Sequence, residues 1–221
     1  MLRYSLITPS ILLTMFLIGL GGPVLAVPQE SALLKKLQQK IANPEQRSMA
    51  IFAGKERALI CGYCHGNDGN SIKPEVPNLA GQNPDYLLQQ IGHFARGARK
   101  DFVMNSLARK FTADDQINLA IFYASRIVKV VGVDKVKAAQ GKTQYQQQCQ
   151  ICHGSKGRGK AGYARLAGQK QVYIKKTLMH FRGSSPNKVS SQKRRSDIME
   201  SVASRLTDAE IAYLAAYIAS L

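Results

Sequence analysis

Cysteine is scarce in this sequence, with four residues in 221. All four fall in two short runs, Cys61-Gly62-Tyr63-Cys64-His65 and Cys149-Gln150-Ile151-Cys152-His153. No thiol is left over for any other job. Acidic residues are also few, 14 Asp and Glu against 31 Lys and Arg, and the formal net charge is +17. A field of that sign favours anionic partners, either an acidic face on another protein or anionic lipid headgroups. Long apolar runs are missing after the first stretch, so nothing later in the chain is expected to span a membrane.

That first stretch has the layout of a secretory signal peptide. Arg3 gives a positive start, Ile11 to Leu20 is almost wholly apolar, and Gly21, Gly22 and Pro23 break the helix. Val24-Leu25-Ala26 offers small residues for cleavage, which is expected after Ala26. The competing reading is an uncleaved membrane anchor, although the run is short of the roughly 20 residues that a span needs.

Both cysteine runs read C-x-x-C-H, the attachment signature of c-type haem. Two thiols three positions apart on one helical turn reach the two vinyl groups of a single haem. The imidazole in the next position then lies under the iron. Two other readings fit a C-x-x-C pair. A thioredoxin-like dithiol needs a βαβ setting, whereas the segments around Cys61 look helical. A shared zinc site needs the pairs much closer in sequence than Cys61 and Cys149. Neither needs the histidine that follows both pairs.

The rest of the chain is also said twice. Ser31 to Ala42 is an expected amphipathic helix within an N-terminal extension, residues 27–43, that Asn43-Pro44 closes. A first domain, 44–126, starts with a helix from Glu45 to about Ile60 that carries Met49, Ile51 and Phe52, with Met49 expected in the core. A helix from about Pro84 carries Tyr86, and a last helix opens at Thr112 with Asp115 as capping partner. Residues 127–136 form a linker whose valines suggest an extended strand of chain lying against the protein. The second domain, 137–221, repeats the first, with an expected helix from Gln140 to Gln148, Tyr173 for Tyr86, and Thr207 with Glu210 for Thr112 with Asp115. Its added length falls between Gly183 and Ser196.

An electron-transfer haem needs a ligand opposite its histidine, and a methionine raises the potential because a soft thioether favours ferrous iron. Met104 and Met199 occupy matching positions, each after a basic loop and before the last helix. Met179 competes in the second domain, but its counterpart is Gly92. His93 and His180 also match, each beside a phenylalanine. They are read as packing, hydrogen-bonding or propionate-side residues, with bis-histidine ligation as the rival.

The runs CGYCHGNDGNS, PNLAGQ, HFARGAR and LAIFYAS, with Met104 and Ala108, closely resemble the cytochrome c4 family, di-haem members of the class I c-type cytochromes. CQICHG, RLAGQ and LAAYIASL, with Met199 and Ala203, carry the likeness through the second half. The resemblance implies an all-α fold of two tandem class I cytochrome c domains related by pseudo-twofold symmetry. It implies two haem c groups attached to Cys61, Cys64, Cys149 and Cys152, with His65, Met104, His153 and Met199 as axial ligands. A proline carbonyl that accepts from the haem histidine carries over to Pro77. Its counterpart is Ala164, a departure that leaves the backbone carbonyl but a less rigid loop.

The function expected from this is electron carriage in the periplasm between a bc-type quinol-oxidising complex and a terminal oxidase, without substrate turnover. Acidic docking surfaces on those partners would suit Lys188, Lys193, Arg194 and Arg195. An anionic membrane surface is a further expected contact, and export with two haems argues against nucleic acid. The alternative is an electron-accepting subunit of a periplasmic dehydrogenase. Catalysis such as peroxidase chemistry would need an open sixth position, which the two methionines argue against.

Overall fold

The computed structural model describes residues 27–160, 162–183 and 194–221, which hold eleven α-helices and no strand. The first six helices form one unit: α1 (Val27–Ala42), α2 (Pro44–Arg57), α3 (Gly62–His65), α4 (Pro84–Arg96), α5 (Phe102–Ala108) and α6 (Ala113–Ala124). The other five form a second: α7 (Lys135–Gln148), α8 (Gln150–His153), α9 (Gln171–Phe181), α10 (Asp197–Ala203) and α11 (Asp208–Ser220). The signal-like stretch 1–26 lies outside the described residues.

Each unit is built on a crossing of two long helices, α2 with α6 in the first and α7 with α11 in the second. α2 meets α6 at Gly54, where an added Cβ would lie 2.2 Å from the Asn118 carbonyl oxygen. α7 meets α11 at Gly141, where it would lie 2.2 Å from the Tyr213 carbonyl oxygen. Only a residue without a side chain lets the two backbones approach so closely. The same geometry corrects the reading of α2. Ala50 and Gly54 form its buried face, while Met49 and Phe52 are 63% and 67% exposed. Small residues, not large ones, face the partner helix, so Met49 is a surface residue.

Helix starts follow their caps. The Asn43 side chain accepts from the Gln46 N–H at 3.0 Å, and Pro44 takes the first turn, where its missing N–H costs nothing. Thr112 with Asp115 and Thr207 with Glu210 make reciprocal capping boxes on α6 and α11. α7 begins at Lys135, earlier than Gln140, because Asp134 accepts from the N–H groups of Val136 and Lys137.

α1 packs on the first unit. Leu37 is fully buried in its core, with Leu33, Leu34 and Ile41 alongside. Lys36 and Lys40 reach Asp114, and Arg96 reaches Glu30. Between the units the chain runs extended against the protein. Asn70 donates to the Ile127 carbonyl and accepts from the Lys129 N–H, and Lys129 pairs with Asp68 at 2.6 Å.

Candidate haem centres

Cys61, Cys64 and His65 share one helical turn, α3 with its N-cap, and Cys149, Cys152 and His153 share the equivalent turn at α8. All four thiols are free and partly buried. Burial pushes the Cys61 thiol up, against a neighbouring Tyr123 hydroxyl and the Arg57 charge, and pushes Cys149 up to about 11. A dithiol redox pair needs the opposite shift, since the thiolate is the reactive form. Among the described residues, no three His, Cys, Asp or Glu side chains converge on a metal-sized site, so the two pairs do not meet around one zinc.

The two histidines are oriented alike. His65 Nδ1 lies 2.9 Å from the Pro77 carbonyl oxygen, and His153 Nδ1 lies 2.9 Å from that of Ala164. A carbonyl can only accept, so Nδ1 carries the proton and Nε2 is left as the free lone pair. Burial lowers the pKa of both rings, against the bond to the carbonyl, and Arg99 and Arg194 lower them further. Neutral imidazoles with Nε2 uncommitted are what an iron ligand requires.

The loops that carry the two acceptor carbonyls close by the same backbone pairs. Leu79 and Ala80 donate to Gly69 at 2.7 and 3.0 Å, and Leu166 and Ala167 donate to Gly157 at 2.7 and 2.9 Å. In the second loop Tyr163 also donates to the Lys160 carbonyl at 2.7 Å. Ala164 therefore holds its carbonyl in place without a proline ring. In the first loop, fully buried Ser71 donates to the Cys64 carbonyl at 2.8 Å and ties the loop to the motif.

Met104 and Met199, each after a basic segment and before the last helix of its unit, stand on matching short helices, α5 and α10. Asp101 caps α5 by accepting from the Val103 and Met104 N–H groups, and Ser196 caps α10 by accepting from that of Met199. Both methionines are partly buried. Met179 lies on α9 and packs against the second core. His93 and His180 are partly buried within α4 and α9.

Five residues before each methionine stands an arginine, and these two arginines cross between the units. Arg99 of the first donates to the Tyr173 hydroxyl of the second at 3.0 Å. Arg194 of the second donates to the Tyr86 hydroxyl of the first, with the Tyr173 hydroxyl 3.5 Å away. Arg194 also lies over the Phe181 ring, 5.1 Å from its centroid. It is an inward cation, not the docking charge expected of it. Arg195 is the exposed neighbour and faces Glu200 at 3.8 Å, while Lys188 and Lys193 lie outside the described residues.

Among the described residues, neither Arg99 nor Arg194 has a carboxylate within ion-pair distance. The Nε of Arg165, which approaches Gly81 across the boundary between the units, is buried and has no hydrogen-bond partner among the described residues. Burial resists ionisation of Tyr173, yet the Arg99 and Arg194 charges pull its phenol down to about 8. Uncompensated cations gathered beside both histidines suit the propionates of two haems. Tyr63 within the first motif, Ile72 just after it and Phe102 on the first methionine helix are exposed by 84% or more, which leaves apolar surface on those segments. Donor set, thiol pairs and charge all fit c-type haem in each unit.

The sequence profile of the cytochrome c family matches residues 138–221. A relative named cytochrome c4, from Pseudomonas aeruginosa, is 34% identical over 179 residues, covering 76% of this chain and 87% of that protein. A Stutzerimonas stutzeri protein named thiosulfate dehydrogenase electron acceptor is 26% identical over 205 residues, covering 86% and 92% respectively. The solved structure of reduced recombinant cytochrome c4 from Pseudomonas stutzeri aligns with a TM-score of 0.68 at 31% identity, covering 76% of this chain and 97% of that one.

Proposed function

The chain belongs to the cytochrome c4 family, and we propose that it carries electrons in the periplasm between a quinol-oxidising complex and a terminal oxidase. Its two covalent haem c groups make it a di-haem electron-transfer protein. When bound, each haem supplies a one-electron ferric–ferrous couple.

In this reading Cys61 and Cys64 fix the first haem through thioethers, and Cys149 and Cys152 fix the second. His65 and His153 offer Nε2 to the irons. Met104 and Met199 would be the second protein ligands to the irons, and their thioethers would favour the ferrous state when the haems are bound. Arg99, Arg165 and Arg194 receive propionate charge between the units. The protein binds no substrate; its residues hold a potential, exclude water and present an edge for transfer.

The observation that carries the proposal is the paired contact of His65 with Pro77 and His153 with Ala164, each on a C-x-x-C-H turn. Met104→Ala and Met199→Ala test the ligand sets. Each variant is expected to lose the methionine–ferric charge-transfer band of one haem, to lower that haem's potential and to leave the other unchanged. An intact two-haem spectrum in either variant would remove that methionine from the ligand set.

A second reading has one specific support. The likeness to a thiosulfate dehydrogenase electron acceptor runs over more of this chain than the likeness to the Pseudomonas aeruginosa relative. Co-purification with a dehydrogenase subunit from the native source would favour an acceptor bound to one enzyme. Rapid reduction by an isolated bc-type complex would favour the free carrier.

A further inference from the structure

Two buried glutamines cross the boundary between the units, and no haem-attachment step uses them. Gln169 Oε1 accepts from the Asn78 N–H at 2.7 Å, and its Nε2 donates to the Asn78 carbonyl at 3.0 Å. Gln82 Oε1 accepts from the Arg165 N–H at 2.6 Å, and its Nε2 donates to the Arg165 carbonyl at 2.9 Å. Each oxygen also accepts from the next residue's own N–H, Lys170 at 2.9 Å and Asn83 at 3.0 Å, which holds the side chain in place. Both amides are at most 7% exposed.

The residues they grip are not arbitrary. The N–H of Asn78 and the carbonyl of Pro77 are two ends of one peptide group, as are the N–H of Arg165 and the carbonyl of Ala164. A chain of hydrogen bonds therefore runs from His65 Nδ1–H to the Pro77 carbonyl, through the peptide, and from the Asn78 N–H to Gln169 of the other unit. Its mirror runs from His153 through the Ala164–Arg165 peptide to Gln82. Hydrogen bonds in such a chain polarise one another. An acceptor on the N–H end makes the carbonyl a better acceptor, and a better acceptor makes the histidine a more basic ligand. A more basic ligand favours ferric iron.

We infer that Gln169 is a positioning residue for the first unit's haem iron and Gln82 for the second's, each acting from the opposite unit on the proximal hydrogen bond of a histidine that it does not touch. Each unit thus helps to set the other's potential. The inference rests on His65 and His153 as iron ligands.

The test uses the two-haem holoprotein with Gln169→Met and Gln82→Met, which keep side-chain length and remove the amide. Potentials are resolved haem by haem from the haem-methyl NMR signals during a redox titration. Gln169→Met is expected to favour ferrous iron in the first unit by about threefold, or roughly 28 mV at 59 mV per tenfold for one electron. The second haem should move less, and Gln82→Met should give the reverse pattern. A larger shift in the glutamine's own unit, an equal shift in both, or none in either overturns the inference.

A measurement on labelled ferrous wild-type protein needs no variant to fold. Scalar coupling across the hydrogen bond between the Asn78 nitrogen and the Gln169 side-chain carbonyl is expected, and its absence also overturns the inference. Failure of the ligand assignment is separately visible, because His65 would then lack the ring-current shifts of a haem-bound imidazole.

Discussion

Gly141→Ala tests the helix crossing on which the second unit stands. A Cβ at that position meets the Tyr213 carbonyl oxygen at 2.2 Å, the Tyr213 carbonyl carbon at 2.5 Å and the Leu214 nitrogen at 2.9 Å. All three are backbone atoms of α11, so no side-chain rotation relieves the clash. To reach ordinary contact the helices must part by roughly 1 Å, which loosens the dispersion contacts along the crossing. Overpacking of this kind costs up to about 3 kcal/mol. Alanine returns about 1 kcal/mol of helix propensity. The net loss is about 2 kcal/mol. For a unit of this size each kcal/mol lowers the midpoint by roughly 4–8 °C, so a fall of roughly 8–16 °C is expected. The assay is thermal unfolding of the holoprotein followed by far-UV circular dichroism and Soret absorbance. Gly132→Ala is the control, since nothing lies within 4 Å of its added Cβ. A Gly141→Ala midpoint within about 2 °C of wild type would refute the close approach of α7 and α11.

Other consequences follow from the charges and loops. Lys129 is the main cause that lowers the Asp68 carboxyl to about 2. A carboxyl lowered by folding stabilises the protein above its unfolded value of 3.8, and that contribution is lost as pH falls toward about 2. The pair is largely exposed, so Asp68→Asn should cost under about 1 kcal/mol at neutral pH and flatten the acid limb of stability against pH over that window. Arg194→Gln removes an inward positive charge beside His153 and should lower the second haem's potential more than the first's, as read by redox titration; equal shifts would mean that the charge acts as part of the general field. Pro77→Ala keeps the carbonyl, so ligation spectra should stay unchanged while stability falls by about 0.4–1 kcal/mol in chemical denaturation.

Much of this was legible because the chain repeats itself. The C-x-x-C-H turns and both capping boxes could be read from local pattern, the two acceptor carbonyls came from the family resemblance, and the bond from His153 Nδ1–H to the Ala164 carbonyl is kept without a proline ring. What escaped reading depended on tertiary contact. Met49 and Phe52 have the look of core residues, but the α2 face is chosen by Gly54 and Ala50, which permit a close crossing. α7 starts at Lys135 because of one aspartate cap that a run of valines obscured. Arg194 reads as surface charge in a basic segment, and only the fold brings it to Tyr86 and Tyr173. The crossed glutamines left a signal, the repeated Ala-Gly-Gln run at Gln82 and Gln169, but periodicity alone cannot say that each glutamine serves the other unit.

An optical redox titration of the purified two-haem protein shows whether both units hold closed electron-carrier sites. Two low-spin centres at positive potential are expected, each with a methionine–ferric charge-transfer band in the oxidised protein. A high-spin or low-potential centre in either unit would contradict the assignment of Met104 or Met199 and, with it, the closed electron-carrier site in that unit.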